Sequence, residues 1–179
     1  IIDILEMFSN DNERSFYIVQ VQIPSFFLCV ISNYPDEIQK KILEIIQNTL
    51  KNTPKGEENS LFSQDSIRNL TNLLDSSNNE VILIIYSIFY DLVMCNDDFI
   101  LDLISEGIIN ISIDLIDAVN FNAKVSILNF LALLLASDKI DEYIDEHVND
   151  IATEKVVEEF IGMAQQEENF VKHCSAAIM

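Results

Sequence analysis

The stretch Asn79–Cys95, NEVILIIYSIFYDLVMC, decides the fold. Past Glu80 it is apolar on every face except at Ser87 and Asp91. A helix of this kind cannot lie on a surface and must be covered on most sides. The rest of the chain supplies the cover, because similar helices recur on both sides of it.

Upstream, Ile38, Ile42, Ile45 and Ile46 line one side of a helix that Asp36 is placed to cap. Downstream, residues 124–136 (KVSILNFLALLLA) have almost no polar face, and Phe170 leads one more helix with Cys174, Ala177 and Ile178. These helices lead with Ile38, Val81, Lys124 and Phe170, in steps of 43, 43 and 46 residues. Medium helices between them lead with Ile23, Ile67, Ile108 and Val157, in steps of 44, 41 and 49. A period in the low forties built from two or three helices marks a helical repeat array. One unit cannot bury its own apolar face, so it stacks on its neighbours.

The intervening stretches fit this frame. Ile23-Pro24 opens a helix with Ile23, Phe26, Phe27 and Val30 as its apolar face; proline in a first turn forfeits no hydrogen bond. Ile67, Leu70, Leu73 and Leu74 form a second stripe, and Ile108, Ile111 and Leu115 a third. Residues 99–106 make a short helix closed by Gly107, and Asn120-Phe121-Asn122 is a turn. Thr153 caps a helix bearing Val157, Phe160, Ile161 and Ala164. Residues 52–60 (NTPKGEENS) are the most loop-like and the expected site of proteolysis. Residues 15–21 (SFYIVQV) alternate enough to pass for a strand.

Several motifs resemble armadillo repeats. That family's medium helix runs roughly I-P-x-L-V-x-L-L, and Ile23-Pro24 and residues 67–74 are similar to it. Gly107 matches the glycine favoured before that helix, while none precedes Ile23 or Ile67. The family's third helix runs roughly E-V-Q-x-x-A-x-x-A-L-x-N-L. Glu37-Ile38-Gln39 with Ile42, Ile45, Ile46 and Asn48 resembles it, as does Glu80-Val81 with Ile85, Ile88, Phe89 and Asp91. In the downstream copy Val125 serves as well as Lys124 for the lead. HEAT repeats are the near alternative; separate short helices at Phe99 and near Leu61 favour armadillo. The resemblance implies an all-α, right-handed superhelix of about four repeats, in units 1–52, 53–97, 98–137 and 138–179, with truncated ends.

It also implies a concave groove lined by the third helices. In nuclear-import adaptors an Asn of that helix bonds the backbone of an extended peptide, and a Trp four residues earlier makes slots for Lys. Carried over, the Asn row is Asn48, Asp91 and Leu134, and the row before it Glu44, Ser87 and Phe130. The chain has no Trp, which argues against an import adaptor. The expected partner-binding groove residues are Glu44, Asn48, Ser87 and Asp91. Polar groups on otherwise apolar helices need partners or water.

Thirty acids against ten bases give a net charge of −20. The acids crowd residues 138–168, relieved only by Lys139 and Lys155. Such a surface disfavours nucleic acid and anionic membrane, which bind through Lys and Arg, and favours a basic partner. Solubility of an apolar-rich chain is the plainer explanation of the same charge. The longest apolar run, residues 81–90, is shorter than the roughly 18 residues of a membrane span. With no basic segment in the sequence at its opening Ile1, no leader peptide is expected. Cys29, Cys95 and Cys174 stand singly in apolar stretches, which suggests reduced core thiols and a cytoplasmic or nuclear setting.

Catalytic signals are weak. The two histidines are His147 and His173. Asp145, Glu146, His147 and Asp150 lack the paired-histidine spacing of a metal helix and fit a solvated acidic face. His173 and Cys174 are neighbours on a helix, about 100° apart, and form no dyad. Asn10-Asp11-Asn12 lacks the Gly and closing Glu of a calcium loop. No phosphate-binding loop or nucleophile elbow occurs. The expectation is therefore a non-enzymatic adaptor, without metal or cofactor, that holds a partner peptide or helix, most naturally a basic one. The rival is a structural component of a larger assembly, of cytoskeletal or ciliary type, held through its ends and outer face.

Overall fold

The computed structural model describes residues 2–54, 62–75, 78–137, 158 and 161. Among these, nine α-helices occur and no strand. They are α1 (Ile2–Ser9), α2 (Asn12–Gln20), α3 (Ile23–Val30), α4 (Asp36–Lys51), α5 (Gln64–Leu73), α6 (Asn79–Cys95), α7 (Phe99–Ser105), α8 (Ile108–Leu115) and α9 (Phe121–Leu135). The chain divides into two compact units, Ile1–Glu106 and Gly107–Met179.

In the first unit α4 packs between α1 and α6, and α3, α5 and α7 form a neighbouring row. The core follows the expected periodicity closely. Ile42, Ile45 and Ile46 of α4, all four of Ile67, Leu70, Leu73 and Leu74, and Val81, Ile85, Ile88, Phe89 and Leu92 of α6 are buried. Tyr86 meets Phe89 edge-on at a ring-centroid distance of 6.0 Å. Buried hydroxyls turn back into their own helices: Thr49 donates to the Ile45 carbonyl at 2.8 Å and Thr71 to the Ile67 carbonyl at 3.0 Å. Ser63 caps α5 by accepting from the Ser66 N–H, and Asn78 caps α6 by accepting from the Glu80 N–H.

Four local expectations are corrected here. The strand-like stretch is helix α2, because Ser15, Ile18 and Val19 bury together at helical spacing while Tyr17 is exposed. Helix α3 turns Pro24 and Leu28 inward and leaves Phe26 exposed, so its buried side is not the Ile23–Phe26–Phe27–Val30 face. Cys29 is exposed for the same reason and is no core thiol; Cys95 is half-buried, and neither is in a disulfide. The N-cap of α4 is Pro35, not Asp36, whose carboxylate instead accepts from Asn78 Nδ2 at 2.9 Å.

In the second unit α8 packs against α9. Helix α8 buries Ile108, Ile109 and Ser112, a face that keeps Ile108 of the expected stripe but is rotated so that Ile111 and Leu115 are half-exposed. Helix α9 begins at Phe121, because Asn120 accepts from the Ala123 N–H at 3.1 Å and caps it. The expected turn there is thus the start of the helix. Glu158 and Ile161 are helical and exposed, so Ile161 does not join an inward stripe. The readings for residues 55–61, for the rest of 138–179, and for His147, His173 and Cys174 lie outside the described residues.

One backbone device recurs. Gly107, just before α8, has φ 76°, and Gln22, just before α3, has φ 54°. Each accepts the first bond of its helix, Gln22 from the Phe26 N–H at 3.1 Å and Gly107 from the Ile111 N–H at 3.2 Å. Gln22 therefore occupies the joint where glycine was expected and absent.

Candidate functional site

The candidate face belongs to the first unit and is carried by α1, α4 and α6. Helix α4 presents two polar rows at helical spacing. One row, Lys40, Glu44, Gln47 and Lys51, points to α6. Lys40 Nζ donates to Glu80 Oε2 at 2.7 Å, Gln47 Nε2 donates to Asp91 Oδ2 at 3.3 Å, and Lys51 Nζ lies 3.7 Å from the same oxygen. The other row reaches α1. Lys41 Nζ donates to Asp3 Oδ1 at 3.2 Å, Asn48 Nδ2 to Asn10 Oδ1 at 3.0 Å, and Asn52 Nδ2 to the Ser9 carbonyl at 2.9 Å.

The expected residues come out as follows. Glu44, Asn48, Ser87 and Asp91 are all half-buried. Glu44 and Asn48 stand one turn apart on α4, Ser87 and Asp91 one turn apart on α6, and Gln47 ties the two pairs together. The Glu44 side chain makes no hydrogen bond or ion pair among the described residues. Its charge nonetheless acts on both Lys40 and Lys41. Ser87 donates to the Leu83 carbonyl at 2.9 Å, so towards a ligand it offers only lone pairs. Asp91 accepts only, whereas the Asn of the family pattern both donates and accepts.

The contacts of Asn48 and Asp91 are the same contact one repeat apart. Asn48 reaches back to Asn10 at the end of α1, and Asp91 reaches back to Lys51 at the end of α4. Aligned on these contacts, Asn10 stands in the place of Lys51. The row does not extend to α9 as expected. Its cap Asn120 lies 42 residues after Asn78, so Ala123 is the lead, and Asn129 and Leu133 take the places of Ser87 and Asp91. Phe130 and Leu134 are fully buried instead.

Gln47, Lys51 and Asn10 were not singled out from sequence. Gln47 and Lys51 follow Glu44 at three and seven residues, and that spacing was the available signal. Tyr90 and Met94 were missed too. They are 38% and 56% exposed and flank Asp91 on α6, at the places Gln47 and Lys51 hold on α4.

Electrostatically the face is a set of paired charges. The hydrogen bond that Lys40 donates to Glu80, and then the Glu80 charge, lifts the Lys40 pKa above the usual 10.5; the bond to Asp3 and its charge do the same for Lys41. Among the described residues no group of His, Cys, Asp and Glu side chains is arranged to hold a metal ion. No helix among them is long and apolar enough to cross a membrane. The face offers carboxylates and a hydroxyl that accept, amides that do both, and the exposed side chains of Tyr90 and Met94.

No family model and no curated protein matches this sequence. Solved structures do match its fold. An engineered protein superposes with a TM-score of 0.77 at 17% identity, over 98% of this chain and 68% of the other. A computationally designed armadillo repeat protein for modular peptide recognition gives 0.72 at 17% identity, over 98% and 79%. A designed armadillo repeat protein in complex with the peptide (KR)4 gives 0.70 at 17% identity, again over 98% and 79%. The chain has an armadillo-like helical repeat fold.

Proposed function

We propose that this armadillo-like chain is a non-enzymatic protein-binding scaffold whose α1–α4–α6 face takes up a basic peptide or helix from a partner protein. The observation that carries this is the run of half-buried polar side chains, Glu44, Asn48, Ser87 and Asp91, across packed, otherwise apolar helices. Structurally similar designed proteins recognise peptides, one of them (KR)4, which supports the same use of the fold. The excess of acids supports a basic partner. Cytoplasmic or nuclear residence belongs to the same proposal and is supported by the thiols of Cys29 and Cys95, neither of which is in a disulfide. So does the division into units ending at residues 52, 97 and 137.

The test is titration of a labelled alternating Lys-Arg octapeptide into the whole chain. Replacing Asp91 by Lys would set a second ammonium against Lys51. Asp91→Asn is the cleaner change, because it keeps an acceptor for Gln47. It is expected to weaken binding by about three- to tenfold, with the melting midpoint little changed. Unaltered affinity would remove Asp91 from the site.

A second reading, a structural piece held through its end, is favoured by Ile4. With Asn10 equivalent to Lys51, Ile4 corresponds to Ile45 and Ile88. Both of those are fully buried, while Ile4 is 57% exposed and Met7 beside it is exposed as well. An apolar helix laid on α1 would cover both. In that case Ile4→Glu would abolish assembly and leave peptide binding unchanged.

A further inference from the structure

We propose that Lys40, Lys41 and Lys51 act as internal competitors for the cationic side chains of a basic ligand, and so set both the affinity and the preference of the face. The inference rests on the peptide-binding reading above. Each of these ammonium groups already lies on a carboxylate that such a ligand would seek. Lys40 is 2.7 Å from Glu80, Lys41 is 3.2 Å from Asp3, and Lys51 is 3.7 Å from Asp91. One pair joins α4 to α1 and two join it to α6, so the competition spans the face.

A ligand Lys or Arg must displace a tethered ammonium, which competes at the high effective concentration of an intramolecular group. The displaced ammonium stays within a Debye length, about 8 Å, and repels the newcomer. A planar guanidinium makes two parallel bonds to a carboxylate where an ammonium is a point charge, so arginine wins the exchange more readily than lysine. Glu44, whose side chain makes no hydrogen bond or ion pair among the described residues, is the carboxylate a ligand meets with the weakest contest, since Lys40 and Lys41 act on it only at a distance.

The experiment titrates the labelled alternating Lys-Arg octapeptide, with an all-Arg and an all-Lys octapeptide beside it, at an ionic strength of about 0.05 M, where exposed charges are least screened. The proteins are the whole chain, its Lys40→Gln/Lys41→Gln/Lys51→Gln variant and the matching Lys→Arg variant. The glutamine variant is expected to bind the Lys-Arg peptide about tenfold more tightly, and the arginine variant no more tightly than the parent. The all-Arg peptide should outbind the all-Lys peptide on the parent chain, by a ratio that shrinks in the glutamine variant. Circular dichroism checks folding. If the triple variant does not fold, Lys51→Gln alone decides, with about two- to threefold tighter binding expected. Binding that Asp91→Asn weakens but the glutamine changes leave unaltered or reduce overturns this inference alone. Binding indifferent to Asp91→Asn, or absent from parent and glutamine variant alike, overturns the peptide-binding reading along with it.

Discussion

The Arg68 guanidinium holds both carboxylate oxygens of Glu106, Nε at 3.1 Å from Oε2 and Nη2 at 3.0 Å from Oε1. The pair joins α5 to the residue just after α7, and Asp65 adds a third contact at 3.2 Å to Nη1. The Glu106 side chain is only 13% exposed, so its charge depends on this one fork. Arg68→Met is expected to lower the urea midpoint more than Glu106→Gln does, because it leaves a largely covered carboxylate without a cation. Arg68→Lys should fall between parent and Arg68→Met. Equal midpoints for all of these would show that the fork contributes nothing to stability.

Gln22 and Gly107 give a paired test of backbone strain. Gly107→Ala should destabilise by about 1 kcal/mol, since a side chain is disfavoured at φ 76°. A methyl there would meet nothing within 4 Å, so the cost is conformational alone. Gln22→Gly relieves the same disfavoured geometry and is expected to be neutral or stabilising by up to about 1 kcal/mol in urea titrations. A clear loss of stability in Gln22→Gly would mean the glutamine side chain matters more than its backbone.

Phe89 is fully buried at the centre of α6 and meets Tyr86 edge-on. Phe89→Ala is expected to cost about 3–5 kcal/mol, while Phe89→Leu should cost markedly less because most of the volume is kept. Denaturant titration of the three proteins checks the order.

The raised pKa values of Lys40 and Lys41 predict an alkaline loss of stability. Because the folded-state value lies above the usual 10.5, the contribution is complete below pH 10.5 and is lost as pH rises through the folded value. The difference in melting midpoint between parent and Lys40→Met/Lys41→Met should be flat from pH 7 to about 9 and shrink above 10.5. It should also be small and salt-sensitive, as both side chains are half-exposed.

The repeat was legible because burial is periodic. The spacing of Ile67, Leu70, Leu73 and Leu74 is the spacing of an inward face, and the structure buries all four. What sequence misplaced were features decided between helices. Residues 15–21 alternate like a strand, yet residues 15–20 are helical and bury Ser15, Ile18 and Val19. Lys124 looks like the polar start of α9, but Asn120, four residues earlier, caps the helix and shifts the register. The positions of Asn48 and Asp91 could be read from the family pattern, whereas their partners Asn10, Lys51 and Gln47 could not. Those depend on how far one helix slides past the next, which no single helix encodes.

Gln22 adopts at the α3 joint the turn that Gly107 makes at α8. The bend is thus a property of the stacked architecture, not of one amino acid. Units built this way are free to drift apart in spelling while keeping their shape, because the surrounding packing enforces a joint that the local letters no longer announce. Kinship among such chains will be easier to trace through backbone geometry than through aligned residues.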